Sequence, residues 1–137
     1  GLNGKPLIGR GVYPAVICCN LFNKHTHTVR RKQRRQPHVT YDGKDRFVTD
    51  ITDGTTIGFK YFDFEDINKI SVRVRGARGM MVISTEIGGM ALAKISVNDT
   101  SEWATFSSPI KIEKGVHVLY FTYRGKGRLD FLEFEMR

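Results

Sequence analysis

The sequence contains no long apolar run. No stretch approaches the roughly 18 consecutive apolar residues that identify a membrane-spanning helix, and the first residues lack the charged and then apolar regions of a signal peptide. No segment carries an apolar stripe at helical spacing over several turns. We therefore expect little helix and no membrane partner. The chain begins with Gly1 rather than Met, which favours a piece of a longer protein.

Cysteine is also scarce. The only 2 cysteines are adjacent, Cys18 and Cys19, within an apolar run. Neighbouring side chains on a strand point to opposite faces, so a disulfide between them has poor geometry. We predict two buried free thiols and a fold that does not depend on disulfides.

The residue patterns of common catalytic sites are missing as well. The sequence has no nucleophile elbow, no phosphate-binding glycine loop and no zinc-ligand spacing. Glycoside hydrolysis needs two opposed carboxylates in a cleft, whereas Asp63, Glu65 and Asp66 are close together at a strand end, where turns or solvent explain them. We therefore predict that this chain is not itself an enzyme.

Short β-type runs separated by glycine turns fill most of the 137 residues. Ile70, Val72 and Val74 alternate with Ser71 and Arg73, which is the pattern of a half-buried strand. Similar patterns predict strands at residues 15–21, 47–51, 56–64, 70–74, 80–87, 92–97, 109–113, 116–123 and 129–136. The prediction is an all-β jelly-roll sandwich of two antiparallel sheets over residues 15–137. Residues 1–14, rich in glycine and proline, are predicted to be an irregular lead-in or linker from a preceding domain.

Much of the net charge of +8 comes from one basic stretch, between Lys24 and Arg35. A solvated loop and a polyanion-binding segment both fit this charge. Nucleic acid is an unlikely partner, because the stretch has no interleaved aromatic side chains to stack on bases. His25 and His27 form only a weak metal pair, since no third ligand is near in sequence.

The only tryptophan, Trp103, follows the polar residues 98–102. This setting predicts a ring near the surface at a strand end, where a ligand could reach it. An aromatic ring suits a sugar because the C–H face of a pyranose packs on it, while a few fixed polar groups bind the hydroxyls. The alternative is that Trp103 only caps the core from the sandwich edge.

Four motifs together resemble a known family: TIGFKYFDF, ISVRVRG, SEWATFSSPIKIEKGVHVLYFTYRG and RLDFLEF. In their order and spacing, over residues 15–136, the chain resembles a family 6 carbohydrate-binding module. The likeness is to the version at the C-terminus of family 43 glycosidases, the arabinofuranosidases and β-xylosidases. The resemblance implies a non-catalytic module that binds xylan- or arabinan-type polysaccharide or oligosaccharide, beside the catalytic domain of its parent enzyme. The alternative is a structural accessory domain whose sugar site has decayed and which packs on the catalytic domain of the parent glycosidase.

The resemblance also implies a sugar site among loops at one edge of the sandwich, where two aromatic rings hold a sugar. Trp103 falls where the family places its stacking tryptophan, and Tyr41 is the predicted partner. Arg128 stands where the family usually has an asparagine that binds hydroxyls, and Asn98 is a further polar candidate. Arg73 and Arg75 could line a second site on the concave sheet face.

One structural calcium ion is usual in the family. Asp130 matches its acidic ligand near the last strand. The acidic residues of the first strand are replaced, which leaves Asn20 as the oxygen ligand at that point. Because calcium requires six to eight oxygen ligands, the residues support a calcium ion only weakly.

Overall fold

The structure is a computed structural model that describes residues 4–22 and 36–137. Within these residues nearly all regular structure is β, apart from short 3₁₀ turns such as Ala15–Ile17. The twelve strands of the described part are β1 (Leu7–Ile8), β2 (Gly11–Pro14), β3 (Asn20–Phe22), β4 (His38–Asp42), β5 (Asp45–Ile51), β6 (Thr56–Phe64), β7 (Lys69–Gly76), β8 (Gly79–Ser84), β9 (Ala93–Val97), β10 (Thr100–Pro109), β11 (Gly115–Gly125) and β12 (Leu129–Met136).

The strands form two packed sheets. The first sheet has the order β1-β6-β11-β8-β9, and β3 also pairs with β6. The second sheet has the order β10-β7-β12-β5-β4, and β2 also pairs with β12. From β5 to β8, and again from β9 to β12, consecutive strands alternate between the sheets, as in a jelly roll. The predicted all-β sandwich is therefore confirmed.

Among the described strands, one pairing departs from the predicted antiparallel pattern. β1 runs parallel to β6, with Leu7 opposite Phe62, whereas the other pairings are antiparallel. In the described part of the chain, no helix is long and apolar enough to cross a membrane.

The core lies between the sheets and is rich in aromatic side chains. Alternation along each strand sends one set of side chains inward, so that Val72 and Val74 of β7 are each 0% exposed. The ring centroid of Phe134 lies 4.7 Å from that of Phe59 and 4.9 Å from that of Phe121. Phe134 therefore joins the two sheets, since Phe59 and Phe121 belong to the first and Phe134 to the second.

The first described residues belong to both sheets. β1 pairs with β6 of the first sheet and β2 with β12 of the second, and Leu7 and Tyr13 pack against the core. The prediction of an irregular lead-in is therefore wrong for residues 7–14, and the sandwich begins before residue 15. These strands span only 2 and 4 residues. They form because β6 and β12 offer partners distant in sequence, which local glycine and proline content cannot reveal.

Two other predicted strands differ from the structure. Residues 15–21 contain the 3₁₀ turn Ala15–Ile17 and then the short strand β3, because Ala15 packs into the core. Residues 109–113 form no strand beyond Pro109, yet Ile110 and Ile112 are buried in the connection. In both places the apolar run correctly predicted which positions are buried, but it did not predict the backbone conformation.

Both cysteines are free thiols, as predicted. Cys18 is half-buried and packs against the core, whereas Cys19 is exposed, so the prediction of burial is wrong for Cys19. Cys19 follows the 3₁₀ turn at the edge of β6, where its backbone N–H donates a hydrogen bond to the carbonyl of Gly58. The basic stretch that contains Lys24, Arg35 and the two predicted histidines lies outside the described residues.

Candidate functional site

Trp103 lies on β10, an edge strand of the second sheet, on the face that points away from the core. β10 pairs with β7, and its register shifts between Thr100, opposite Gly76, and Ala104, opposite Val74. Such an irregularity bends a strand and re-aims a side chain. The half-buried Trp103 ring is thereby directed over the outer face of the sheet rather than into the loops.

Arg75 of β7 lies against the Trp103 ring. Its guanidinium carbon is 4.2 Å from the centroid of that ring and 4.8 Å from the centroid of Phe47. The two rings meet edge to face, with centroids 5.2 Å apart and an interplanar angle of 72°. Phe47 is 4% exposed although it does not belong to the core cluster between the sheets. Cation–π and edge-to-face contacts therefore bury Phe47 on the outer face.

Carboxylates fix both the arginine and the tryptophan. The Arg75 Nε donates to Asp130 Oδ2 at 2.9 Å, and the Thr49 hydroxyl donates to Asp130 Oδ1 at 2.6 Å. The indole Nε1 of Trp103 donates to Asp45 Oδ2 at 3.3 Å. We call Trp103, Arg75, Phe47, Asp130 and Asp45 the Trp103 cluster. It holds the indole in one orientation, with the guanidinium on one ring face.

Asn98 and Arg128 lie at the same end of the second sheet as Trp103. Gly76 is opposite Thr100 of β10 on one side and Leu129 of β12 on the other, and these residues closely follow Asn98 and Arg128. The Arg128 carbonyl accepts a hydrogen bond from the backbone N–H of Ala77. The structure therefore brings three of the four predicted sugar-site residues to one end of the sandwich.

The side chain of Arg128 is partly engaged. Its Nε lies 3.8 Å from Oδ1 of Asp50, whose side chain is 4% exposed, while the Arg128 side chain itself is 59% exposed. His38 Nδ1 lies 3.7 Å from the other Asp50 oxygen. Arg128 therefore keeps donors that face solvent, next to a buried carboxylate.

Tyr41 does not lie beside Trp103. In the β4–β5 hairpin, Asp42 is opposite Asp45 and Tyr41 is opposite Arg46. Because Asp45 reaches Trp103, strand alternation points Tyr41 and Arg46 to the other face. Tyr41 is 74% exposed. The structure thus does not pair Tyr41 with Trp103 as two walls of one sugar site.

The two predicted calcium ligands are also separated. Asn20 lies on β3 in the first sheet and Asp130 on β12 in the second. Both Asp130 oxygens already accept hydrogen bonds, one of them from a guanidinium. The described residues contain no group of three or more His, Cys, Asp or Glu side chains that could hold a metal. Asn20 and Asp130 therefore do not fit one calcium site, and calcium stays a prediction of the resemblance alone.

The outer face beside the Trp103 cluster carries the second predicted arginine. Arg73 Nη1 lies 3.7 Å from Glu133 Oε2, and the hydroxyls of Ser71 and Ser107 are 2.9 Å apart. Arg73 and Arg75 therefore share the face on which Trp103 lies. The predicted loop site and the predicted sheet-face site meet at Trp103.

Sequence reasoning missed Phe47 and Asp45 as parts of this site. A signal existed, because the Asp42–Gly43 turn starts a hairpin and makes Asp45 and Phe47 alternate residues of its second strand. Their contact with Trp103 depends on the register shift in β10 and joins strands that are distant in sequence, which no local pattern encodes.

No family model matches the chain. A xylosidase/arabinosidase of Thermoclostridium stercorarium is 40% identical over 147 residues, and the match covers 99% of this chain but 31% of that protein. The chain thus spans about a third of the curated relative it matches.

Solved structures share the fold at low sequence identity. The module CsCBM6-3 of Clostridium stercorarium, in complex with cellobiose, superposes with a TM-score of 0.78 at 16% identity over 97% of both chains. A family 6 carbohydrate-binding module of Clostridium cellulolyticum, in complex with xylose, gives a TM-score of 0.74 at 14% identity over 94% of this chain and 98% of that one. A family 43 arabinoxylan arabinofuranohydrolase of Bacillus subtilis gives 0.76 at 16% identity, with 96% of this chain matching 28% of that enzyme.

These matches confirm the resemblance to family 6 modules and to proteins that contain family 43 catalytic domains. At such identities the solved structures establish the fold. Those that match over nearly their whole length are carbohydrate-binding modules, in agreement with the prediction that this chain is not itself an enzyme.

Proposed function

We propose that this chain is the carbohydrate-binding module of a family 43-like glycoside hydrolase and binds xylan- or arabinan-type plant polysaccharide. The observation that carries the proposal is the Trp103 cluster, a half-buried indole held in one orientation on the face of a family 6 type sandwich. The specificity is suggested by the relative, a xylosidase/arabinosidase.

The cluster supplies what a sugar-binding platform needs. A sugar that stacks on a rigid ring loses less affinity to side-chain ordering than one that stacks on a mobile ring. Here the Asp45 hydrogen bond and the Arg75 and Phe47 contacts order the indole before any ligand arrives. Asn98 and the exposed part of Arg128, at the same end of the sheet, would bind hydroxyls.

A titration with xylo- and arabino-oligosaccharides tests the proposal. Because Trp103 is the only tryptophan, a change in tryptophan fluorescence on adding sugar reports this site alone. Calorimetry then compares Trp103→Ala with Tyr41→Ala, which removes an exposed aromatic ring from the other face of the same sheet. We expect Trp103→Ala to weaken binding about tenfold or more, equivalent to about 1.4 kcal/mol, and Tyr41→Ala to leave it unchanged.

If millimolar sugar changes neither the tryptophan fluorescence nor the heat measured by calorimetry, the proposal is wrong. Equal loss in the two variants would instead place the site elsewhere. Affinity should hardly vary with salt. A steep fall with salt, together with binding to nucleic acid, would favour the polyanion alternative for the stretch between Lys24 and Arg35.

A second candidate function is a structural accessory domain whose sugar site has decayed. The observation that favours it is that Arg75, Phe47 and Asp45 all hold Trp103 through contacts within the chain. In that case Trp103→Ala would lower the free energy of unfolding, and no oligosaccharide would bind the unaltered chain. Measuring stability and binding on the same variant distinguishes the two functions.

A further inference from the structure

A second feature of the molecule, remote from the Trp103 cluster, is a large apolar cavity. Its volume is about 500 Å³, and its walls are Leu7, Tyr13, Pro14, Ile17, Cys19, Phe59 and Lys60. Leu7 belongs to the first sheet and Tyr13 to the second, so the cavity opens where the first residues cross from one sheet to the other. Phe59, a core residue that is 1% exposed, also lines it.

The cavity walls are ordered by their own contacts. The Tyr13 ring lies 5.0 Å from that of Phe62, edge to face, and the Tyr13 hydroxyl donates a hydrogen bond to the Ile8 carbonyl. Cys19 Sγ lies 3.9 Å from the Lys60 carbonyl. The cavity is thus part of the folded sandwich and lies in the usual size range of ligand pockets, about 300–1,000 Å³.

Exposed apolar side chains adjoin this cavity. Pro14 and Ile17, both lining residues, are exposed, Ile17 to 38%. A rimmed apolar surface of this kind marks a site of contact with another protein surface or a ligand. A sugar is a poor occupant, because the Tyr13 hydroxyl is already bonded and Lys60 is the only charged side chain among the lining residues.

We propose that this cavity and its rim, Pro14 and Ile17, form the surface on which the module docks against the catalytic part of its own polypeptide. The inference rests on the proposed function, in which the module is one part of a longer glycosidase. The relative supports this occupant, since the region it shares with this chain is 31% of its length. A tethered partner has a high effective concentration, so a modest apolar contact suffices to hold it.

The site also fits the proposed arrangement geometrically. Three of the lining residues, Leu7, Tyr13 and Ile17, lie on β1, on β2 and in the 3₁₀ turn, so the cavity opens at one side of the sandwich. The Trp103 cluster lies on the outer face of the second sheet, away from β1 and β6. Docking therefore leaves the proposed sugar site open.

Cys19 reports whether the cavity is covered. Its side chain is exposed and lines the cavity, whereas Cys18 is half-buried and burial raises the pKa of its thiol, which slows its reaction. The alkylation rate of Cys19 by a maleimide is compared between the isolated 137-residue chain and the full-length glycosidase. Because reaction requires the open form, docking about 90% of the time slows it about tenfold.

Ile17→Asp in the full-length protein is expected to restore the fast rate of the isolated chain. The matched control is Ile87→Asp, at a 63% exposed isoleucine in the β8–β9 connection, on the edge of the first sheet farthest from β1. It should leave Cys19 protected. Thermal melting of each variant verifies that the exposed substitutions leave the module folded.

Equal alkylation rates in the isolated chain and the full-length protein would overturn the docking proposal. So would protection that rises with concentration of the isolated chain, because that result assigns the surface to a second copy. Oligosaccharide binding is measured on the same samples. If Cys19 is protected and no sugar binds, the binding function is refuted and the docking proposal stands. If sugar binds and Cys19 is not protected, the docking proposal is refuted and the binding function stands.

Discussion

The Arg75 guanidinium lies 4.2 Å from the centre of the Trp103 ring while its Nε donates to Asp130 at 2.9 Å. One side chain thus couples the proposed sugar platform to the middle strand of the second sheet. Charged side chains and hydrogen bonds on the outer face of the sheet, rather than burial in the core, hold the Trp103 ring in place.

We predict that Arg75→Leu costs about 1–3 kcal/mol in the free energy of unfolding, because it removes a cation–π contact and leaves Asp130 without its charged donor. Urea denaturation measures the loss. Arg73→Leu is the matched control on the same strand and face. Its partner Glu133 is 3.7 Å away and both side chains are more exposed than those of Arg75 and Asp130, so the cost should stay below about 1 kcal/mol. Equal costs would contradict the proposed coupling.

Chelation of calcium is expected to leave the melting midpoint of the chain unchanged. Asn20 and Asp130 lie in different sheets, and Asp130 is bonded to Arg75 and Thr49. A ligand that binds only the folded state raises the midpoint by mass action, so melting with excess EDTA and with added calcium is the measurement. A higher midpoint in calcium would show that other residues form the site.

Gly76→Ala should destabilise the sandwich strongly. Gly76 has a φ of +127°, and an added Cβ would lie 2.4 Å from the Arg128 carbonyl oxygen. Backbone strain and this overlap together should cost more than about 2 kcal/mol. Gly115→Ala is the control, because Gly115 has a similar φ, +119°, but open space around it. Chemical denaturation of both variants separates the effect of the steric overlap from that of the backbone strain. Similar losses in the free energy of unfolding would argue against the close approach of residue 76 to the Arg128 carbonyl.

The stability of the chain should fall at alkaline pH partly through Tyr123. Burial, followed by the carboxylates of Asp99 and Asp53, raises the pKa of Tyr123 above its usual value of 10.0. Since the folded-state pKa lies above the unfolded one, the stabilisation is complete below pH 10 and is lost as pH rises through the folded-state pKa. Burial raises the pKa of Tyr13 as well. Tyr123→Phe should therefore reduce, without abolishing, the alkaline slope of the unfolding free energy; an unchanged slope would exclude the role of Tyr123.

The sequence predicts the bounds of two strands well, although the phase of the buried residues changes within each of them. The patterns at residues 56–64 and 129–136 agree with the bounds of β6 and β12. It fails at β10, because SEWATFSSP lies at a sheet edge and most of its residues are polar. It fails again at residues 15–17, where apolar residues fill the core from a 3₁₀ turn.

The candidate site could be predicted only in part. The position of Trp103 near Asn98 and Arg128 followed from the family resemblance, and it holds because the strands that begin just after Asn98 and Arg128 flank β7. Its contacts with Phe47 and Arg75 did not, since they depend on a register shift in β10 and on strands that are distant in sequence. The position of Tyr41 was predicted wrongly for a simpler reason. Side chains on β4 alternate between the two faces of the sheet, and Tyr41 lies at a position whose side chain points to the face opposite that of Trp103.

The first two strands have a mechanical consequence. β1 is hydrogen-bonded to one sheet and β2 to the other, a few residues apart. Tension applied to the chain at Leu7 would load the first sheet through β1 and, through the residues that follow, the second sheet through β2. Because β1 and β6 run parallel, the load would shear the two residue pairs that join them rather than peel the edge open one pair at a time.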